Sequence, residues 1–412
     1  MDITKKVNYC LSCINKPCKE GCPLNNDITK AIALYKDGKE EMAYDVFTKT
    51  SVLSSVCGRI CPHENQCEGK CIRGIKGIPV SIGEIEYTLA DKFLDKPFVK
   101  TNEFNNKKVA VVGGGPSGLT CAAFLAMKGI NVTIFEKHDS LGGILAHGIP
   151  DFRLPKDVLK KNIDKIVNLG IEVKLNKELG KDFSLEELRN NYDALYLSVG
   201  ANKSRKMNIA GEELDGVLGG NETLEEDNWP DIKDKVVAVS GGGNTAMDVC
   251  RVAKRKGARK VVVIYRRSEK EMPATRCEIS EAKNEGIEFM FKTNILEILG
   301  DKKVEKLHCI KTELTQKEGE KRLSPVNIEG SDFVEDFDYV FMAVGSMPDK
   351  ELTDKLHLEL TKWGTIQKDE NNMTSFDGVF VGGDIAGGTS TVAYAAKAGR
   401  DTSEFIINYL KK

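Results

Sequence analysis

The chain has 412 residues, of which 41% are hydrophobic and 30% are charged. This length corresponds to two or three domains, and the composition is that of a globular protein. Its 60 basic and 62 acidic side chains give a net charge of −2, which excludes a strongly basic nucleic-acid-binding protein. No apolar run reaches the roughly 18 residues of a membrane span, and the first ten residues lack the apolar core of a secretion signal. We therefore expect a cytoplasmic protein with neither nucleic acid nor membrane as a partner.

Cysteines are concentrated at the start of the chain. Eight of the twelve lie in the first 71 residues, as C-x2-C-x4-C-x3-C-P from Cys10 and C-x3-C-P-x4-C-x3-C from Cys57. Cytosolic thiols stay reduced, so metal or redox chemistry is favoured over disulfides. The first pattern is similar to the bacterial ferredoxin run, which predicts two [4Fe–4S] clusters. Structural zinc is the alternative, although it favours two separated C-x2-C pairs or histidine ligands.

Helix-forming patterns surround these cysteines. Apolar spacing predicts two short helices between Asp27 and Thr50, separated at Gly38, with Met42 on the apolar face of the second. A further amphipathic helix is predicted over Ile78–Leu94. The polar stretch 96–106 that follows predicts a linker to a second domain.

From Lys107 onward, short β-branched runs alternate with glycine loops and helix patterns. Runs of this kind are typical of strands that are buried on both faces, and their alternation with helices predicts parallel sheets. The predicted fold class is α/β, with Rossmann-like dinucleotide-binding domains preceded by an all-helical domain that carries the cysteines.

The first glycine loop has the sequence of a dinucleotide-binding fingerprint. A strand, Val109–Val112, leads into the G-x-G-x-x-G of Gly113 to Gly118 and then into a helix pattern. Glycines there allow the backbone to approach a pyrophosphate at the start of the helix. Glu136 ends the next strand, at the offset of an acid that binds a ribose diol. A merely structural glycine turn is the alternative.

A second copy of the fingerprint runs from Gly241 to Ala246. In place of the ribose-binding acid, the following strand ends in Arg266 and Arg267, whose guanidinium groups suit a 2′-phosphate. A solvated basic turn is the alternative for this pair. Two fingerprints of different polarity predict two different dinucleotides, and FAD with NADPH fits them.

The end of the chain carries a further strand, closed by Gly383 and Asp384, and a helix that begins near Thr391 and Val392. The aspartate suits the ribityl chain of a flavin, and the positive end of the helix suits a reduced flavin ring. An ordinary aspartate and helix cap is the alternative. The four remaining cysteines have no C-x-x-C partner, which disfavours a thioredoxin-reductase-like dithiol enzyme: Cys121, Cys250, Cys277 and Cys309.

Taken together, these motifs resemble the small (β) subunits of NADPH-dependent glutamate synthase over essentially the whole chain. The resemblance rests on the cysteine patterns, GGGPSG, GGILAHGIPDFRLPK, GGGNTAMD, YRRSEKEMPA and GGDIAGGTSTVAYAAKAGR, in that order. It extends to the large subunit of NADH-dependent reduced ferredoxin:NADP oxidoreductase and to the amino-terminal part of dihydropyrimidine dehydrogenase. The family implies a helical iron–sulfur domain over 1–102, an FAD domain over 107–216 and 335–412, and an inserted NADPH domain over 217–334.

The resemblance also implies a ligand set for the clusters. One cluster would be held by Cys10, Cys13, Cys18 and Cys71. The other would be held by Cys22, Cys61 and Cys67, with Glu86 as the eighth ligand and Cys57 as the alternative.

The same resemblance, with the two fingerprints, gives the expected cofactor-binding residues. For FAD they are Gly113, Gly115, Pro116, Ser117, Gly118, Glu136, Lys137, Gly143, Leu145, Arg153, Gly383, Asp384, Thr391 and Val392. For NADPH they are Gly241, Gly243, Asn244, Thr245, Arg266, Arg267 and Gly345. Hydride transfer depends on alignment of the two cofactors, so no acid or base is assigned as catalytic, and Arg153 is expected only as a flavin neighbour.

The expected activity is transfer of a hydride from NADPH to FAD and of single electrons through two [4Fe–4S] clusters to a partner protein. That partner would be a glutamate synthase large subunit or a ferredoxin-like acceptor. One alternative is the large subunit of a ferredoxin:NADP oxidoreductase, with or without bifurcation at FAD. Another is a non-catalytic electron-transfer scaffold.

Overall fold

The computed structural model describes residues 3–316 and 323–411. These residues form two compact units, the second of which spans Asn202–Met347. The first unit contains the chain up to Ala201 and the chain from Pro348 onward. The domain boundaries expected from the sequence stay a prediction.

The first unit begins with a helical head, whose described residues form six α-helices. They are α1 (Ile3–Tyr9), α2 (Pro17–Gly21), α3 (Ile28–Lys36), α4 (Glu40–Thr48), α5 (Ser54–Ile60) and α6 (Ile82–Lys92). Short 3-10 turns at His63–Asn65, Glu68–Lys70 and Ile72–Ile75 connect α5 to α6. The cysteines therefore lie on short helices and turns.

The two helices predicted between the cysteine groups are present as α3 and α4. Asp27 caps α3 by accepting a hydrogen bond from Lys30 N at 3.3 Å. Gly38 separates the helices with a φ of +72°, a conformation that favours glycine. The assignment of Met42 to the apolar face was wrong, since it is 55% exposed, whereas α4 buries Ala43, Tyr44, Val46 and Phe47.

An α/β segment follows the head in the first unit. It consists of β1 (Lys108–Val112), α7 (Pro116–Met127), β2 (Asn131–Phe135), α8 (Ile144–His147), α9 (Lys156–Val167), β3 (Glu172–Lys174), α10 (Leu185–Asn191) and β4 (Ala194–Leu197). The strands are short and almost wholly buried apart from β3, as expected for the inner strands of a parallel sheet.

The second unit contains two principal sheets. Its elements are β5 (Lys203–Ser204), β6 (Val217–Gly219), α11 (Gly220–Glu226), β7 (Val236–Ser240), α12 (Asn244–Arg255), β8 (Lys260–Tyr265), α13 (Arg276–Asn284), β9 (Glu288–Phe291), β10 (Thr293–Leu299), β11 (Lys306–Thr315), β12 (Ser324–Asn327), β13 (Phe333–Asp336), β14 (Tyr339–Met342) and β15 (Ser346–Met347). One sheet is parallel, in the order β6-β14-β7-β8-β9. The other, β10 to β13, is antiparallel and was not predicted.

The remainder of the first unit completes its sheet. It provides α14 (Lys350–Leu356), β16 (Val379–Val381) and α15 (Val392–Leu410). β16 pairs in parallel with β4, so the order is β16-β4-β1-β2-β3. The sheet of the first unit thus contains a strand that follows the second unit in sequence. The predicted class, two Rossmann-like α/β domains with one inserted in the other and a helical head, is confirmed.

An ion-pair cluster joins α12 to α13 in the second unit. Arg251, whose side chain is 5% exposed, contacts Glu278 at 2.8 Å, Glu281 at 2.7 Å and Glu285 at 2.9 Å. We expect Arg251→Met to destabilise this unit by about 3–5 kcal/mol, because Glu278 would remain buried without its cation. Chemical denaturation followed by circular dichroism measures the loss. The exposed Arg259→Met is the control, and an equal effect of the two variants would contradict the prediction.

Candidate functional site

The first group of predicted cluster ligands meets in one cavity of the head. Cys10, Cys13, Cys18 and Cys71 line a cavity together with mainly apolar side chains, such as Ile28. Burial, followed by the neighbouring Cys10 and Cys71, raises the pKa of Cys18 to about 11. Four thiols around an apolar cavity are a donor set that suits an iron–sulfur cluster. Their assignment as ligands stays a prediction.

The second group lies deeper in the head. Burial and then the Glu86 carboxylate raise the pKa of Cys22 to about 12. Burial, the Cys22 thiol and Glu86 raise the pKa of Cys67 in turn. A hydrogen bond with Cys57, followed by burial, raises the pKa of Cys61. The structure therefore brings the three expected thiols to Glu86, and it brings the alternative ligand Cys57 to Cys61.

Glu86 is a buried carboxylate on α6, 5% exposed. Burial raises its pKa to about 8. The amide of Asn26 donates a hydrogen bond to its Oε1 at 3.4 Å. Its negative charge acts on the thiols of Cys22, Cys61 and Cys67, as expected for a carboxylate close to the second group, and its assignment as the eighth ligand stays a prediction. Within the described residues, no three His, Cys, Asp or Glu side chains are arranged to hold a single metal ion.

The first glycine loop joins β1 to α7 in a very narrow space. Gly113 has a φ of +99°, which favours glycine. A Cβ on Gly118 would lie 1.9 Å from the carbonyl oxygen of Gly113, so only glycine fits there. Pro116 and Ser117 begin α7, as the fingerprint requires. Sequence reasoning missed Tyr196, a fully buried residue of β4 whose hydroxyl lies 2.7 Å from Ser117 Oγ.

Glu136 is placed at the end of β2 as predicted. It is 4% exposed, its Oε2 accepts a hydrogen bond from Gly114 N at 2.7 Å, and its Oε1 accepts one from His138 N at 3.0 Å. The carboxylate is thereby fixed beside the glycine loop. Lys137, the next residue, is exposed.

Three other predicted flavin segments surround this loop. Gly143, with a φ of +52°, is so close that a Cβ on it would lie 2.9 Å from Gly115 Cα. Leu145 is fully buried in the core, and Arg153 is half-buried. A Cβ on Gly383 would lie 3.1 Å from the Cβ of Ser117, which places Asp384 near the start of α7. The glycines thus leave the backbone bare where a cofactor must approach it.

The long helix α15 begins at this same place. Thr391 caps it by accepting a hydrogen bond from Tyr394 N at 3.4 Å, and Val392 is its first residue. Burial raises the pKa of Asp384, although a hydrogen bond with Ser390 acts in the opposite direction. Gln66, which sequence reasoning missed, donates from Nε2 to Thr391 Oγ1 at 3.5 Å. Because Gln66 precedes Cys67, this contact joins the second cysteine group to the predicted flavin site.

The second glycine loop opens on a cavity of about 570 Å³ in the second unit. Gly241, Gly243, Thr245 and Gly345 line it, as predicted. Gly241 has a φ of +143°, and a Cβ on it would lie 2.2 Å from Ala343 O. Asn244 begins α12, and its Oδ1 accepts a hydrogen bond from Thr275 N at 3.3 Å.

The charge of this cavity is positive. Arg266 and Arg267 line it, and Arg205 and Lys206, which sequence reasoning missed, line it too. No aspartate or glutamate is among its described lining residues. Four cations and no carboxylate suit a ligand with several phosphates, and the arginine pair suits a 2′-phosphate.

Comparison with known proteins identifies the family of the chain. Residues 107–399 match the model of the pyridine nucleotide-disulphide oxidoreductase family, and residues 1–97 match that of dihydropyrimidine dehydrogenase domain II, 4Fe-4S cluster. The glutamate synthase [NADPH] small chain of Escherichia coli is 35% identical over 98% of this chain and 91% of its own length. The chain belongs to this family of flavin-dependent, iron–sulfur NADPH oxidoreductases.

Two further relatives are similar to most of this chain. The glutamate synthase [NADPH] small chain of Azospirillum brasilense is 34% identical over 99% of this chain and 89% of its own length. The NADPH-Fe(3+) oxidoreductase subunit beta of Geobacter sulfurreducens is 36% identical over 91% of this chain but over only 61% of its own length.

Solved structures support the fold. FprA of Mycobacterium tuberculosis, whose structure was also solved in complex with NADPH, has a TM-score of 0.66 and 22% identity, over 74% of this chain and 84% of its own. At that identity the likeness concerns the fold alone. Of the helices in the described part of the chain, none is long and apolar enough to cross a membrane.

Proposed function

We propose that this chain oxidises NADPH and delivers the electrons, one at a time, to a partner redox protein or subunit. The observation that carries the proposal is the cavity of the second unit, where a fingerprint loop faces four cations without a carboxylate. NAD itself lacks a 2′-phosphate and would leave Arg266 and Arg267 without a ligand group.

FAD, NADPH and [4Fe–4S] clusters supply hydride acceptance and single-electron transfer when bound. The chain's own residues bind and orient these groups. The loop from Gly241 and the arginine pair hold NADPH, while the loop from Gly113 and Glu136 hold the second dinucleotide. The start of α15 provides a positive helix end beside Asp384.

The head contributes the electron path toward the partner. Its second cysteine group is joined to the capping residue of α15 through Gln66 and Thr391. Its first group lines a cavity that is bordered by exposed residues. We place the protein in the cytoplasm, where reduced thiols can hold such clusters.

The activity is tested by anaerobic oxidation of NADPH with ferricyanide as an artificial acceptor. We expect turnover that requires bound flavin and prefers NADPH to NADH. A chain that retains no flavin, or that turns over NADH equally well, would contradict the proposal.

The space above the second glycine loop provides a sharper test. Gly243 has a φ of −92°, which any residue adopts, and a Cβ on it would meet nothing within 4 Å. We therefore expect Gly243→Val to leave thermal stability and flavin content unchanged. NADPH affinity should fall by at least about tenfold, because the fingerprint glycine lets the pyrophosphate approach the backbone.

Isothermal titration with NADPH measures this effect. The comparison variant is Gly77→Val, at a glycine that also lacks a positive φ, where a Cβ would make only ordinary contacts, the nearest at 3.6 Å from Arg73 O, and which lies outside the cavity. Unchanged NADPH affinity in Gly243→Val would show that the loop does not hold the pyrophosphate.

A further inference from the structure

Exposed apolar side chains border the cavity of the first cysteine group. Leu11 and Ile72 line that cavity and are 49% and 38% exposed. Ile14, Ile75 and Ile78 lie on the same two chain segments and are 98%, 76% and 76% exposed. We call these five residues the isoleucine rim. Large apolar patches are rare on the surface of monomers and mark interaction sites.

The two segments of the rim are tied to each other. Tyr9 donates a hydrogen bond from its hydroxyl to Ile78 O at 3.0 Å. Arg73 donates from Nε to Tyr9 O at 2.9 Å, and its guanidinium lies 4.3 Å from the centre of the Tyr9 ring. The rim is therefore held in place across the cavity mouth, with a cation fixed in it.

Cations accompany the rim, although the whole chain has a net charge of −2. The stretch from Lys70 to Ser81 contains Lys70, Arg73 and Lys76 but no acidic residue. Lys36, at the end of α3, donates from Nζ to Cys10 O on the other segment at 3.1 Å. Among the described residues, neither Arg73, Lys76 nor Lys36 forms an ion pair with a carboxylate.

We propose that the isoleucine rim, with Arg73 and Lys76, is the docking surface for an acidic electron-carrier protein. The inference rests on the proposed function, since it identifies the surface and the charge of the partner. Positive charge steers an acidic partner to this face, and apolar contact then holds it over the cysteine cavity. Electrons would leave the head here because these thiols lie directly beneath exposed residues.

The test measures binding of an oxidised acidic plant-type ferredoxin to the loaded protein by isothermal titration, at low and high salt. We expect binding that weakens steeply with salt. Ile75→Glu and Lys76→Glu should each weaken it at least about tenfold, through introduced repulsion and lost contact. The matched control is Val99→Glu, which adds the same charge at an exposed apolar residue outside the cavity lining.

Iron content and NADPH–ferricyanide activity should remain within about twofold in all three variants, since the substitutions are at the surface. Equal binding of ferredoxin by the native chain and both rim variants would overturn the proposal. Tighter binding of basic cytochrome c than of ferredoxin would also overturn it. So would a native chain that binds phosphatidylglycerol vesicles but not ferredoxin, with the vesicle binding lost in the rim variants. Self-association that is abolished by Ile75→Glu, without ferredoxin binding, would assign the rim to a second copy instead.

The experiments distinguish failure of the docking proposal from failure of the proposed function. Ferredoxin binding needs no turnover, so a native protein that binds it but is not reduced by NADPH contradicts the proposed function alone. A protein that NADPH reduces but that binds no acidic carrier contradicts the docking surface alone.

Discussion

Replacing Arg266 and Arg267 with alanine should raise the Kd for NADPH by about 100-fold while leaving the Kd for NADH within about twofold. Both guanidinium groups line the cavity beside the second glycine loop. A hydrogen bond to a charged group contributes about 1.5–3 kcal/mol, and each 1.4 kcal/mol corresponds to a factor of ten. Only the 2′-phosphate of NADPH would use these bonds, so NADH provides the internal reference.

The measurement is anaerobic titration of each nucleotide against the double variant and the single variants. Arg267 also donates from Nε to Leu323 O at 3.0 Å, so circular dichroism and flavin content must first establish that its replacement folds. Arg259→Ala, at an exposed site outside the cavity, is the matched control. Equal losses for both nucleotides would exclude a role in binding the 2′-phosphate.

Replacing Glu86 with alanine should reduce bound iron from about eight to about four atoms per chain, because two four-iron clusters account for eight. Glu86 is buried among Cys22, Cys61 and Cys67, and its carboxylate affects the pKa of all three thiols. Alanine would leave the second group with its three thiols and without the carboxylate. Iron and sulfide assays with electron paramagnetic resonance of the reduced protein measure the loss.

The same experiment separates Glu86 from the alternative ligand. Cys57 is also buried, and it hydrogen-bonds Cys61. Cys57→Ala should keep about eight irons if Glu86 completes the cluster, and Glu86→Gln should keep most of them because an amide retains a ligand oxygen. The reverse pattern, with iron lost from Cys57→Ala and retained in Glu86→Ala, would assign the position to Cys57.

Local sequence patterns predicted the framework of the protein because its chemistry depends on short-range geometry. The two glycine loops follow β1 and β7 and precede α7 and α12, as the fingerprint requires. At Gly118 and Gly241, a Cβ added to the glycine would lie within 2.2 Å of a backbone oxygen, so no other residue fits. A turn of this kind restricts the residue types directly, so the sequence reveals it.

Residues that act through long-range packing could not be predicted in the same way. Arg205 and Lys206 line the nucleotide cavity from a segment outside both fingerprints. Gln66 and Thr391 are 325 residues apart. The exposure of Met42 followed from which face of α4 the rest of the head covers. Helical spacing specifies a face only to within a turn, and tertiary packing decides which residues of it are buried.

The most direct test of the proposed function is an anaerobic absorption titration of the purified protein with NADPH, accompanied by an iron and sulfide assay. The account predicts bleaching of a flavin band by NADPH, at lower concentrations than by NADH, in a protein with about eight irons and eight sulfides per chain. Bound zinc without labile sulfide, or a protein whose flavin is absent or unchanged by NADPH, would contradict it.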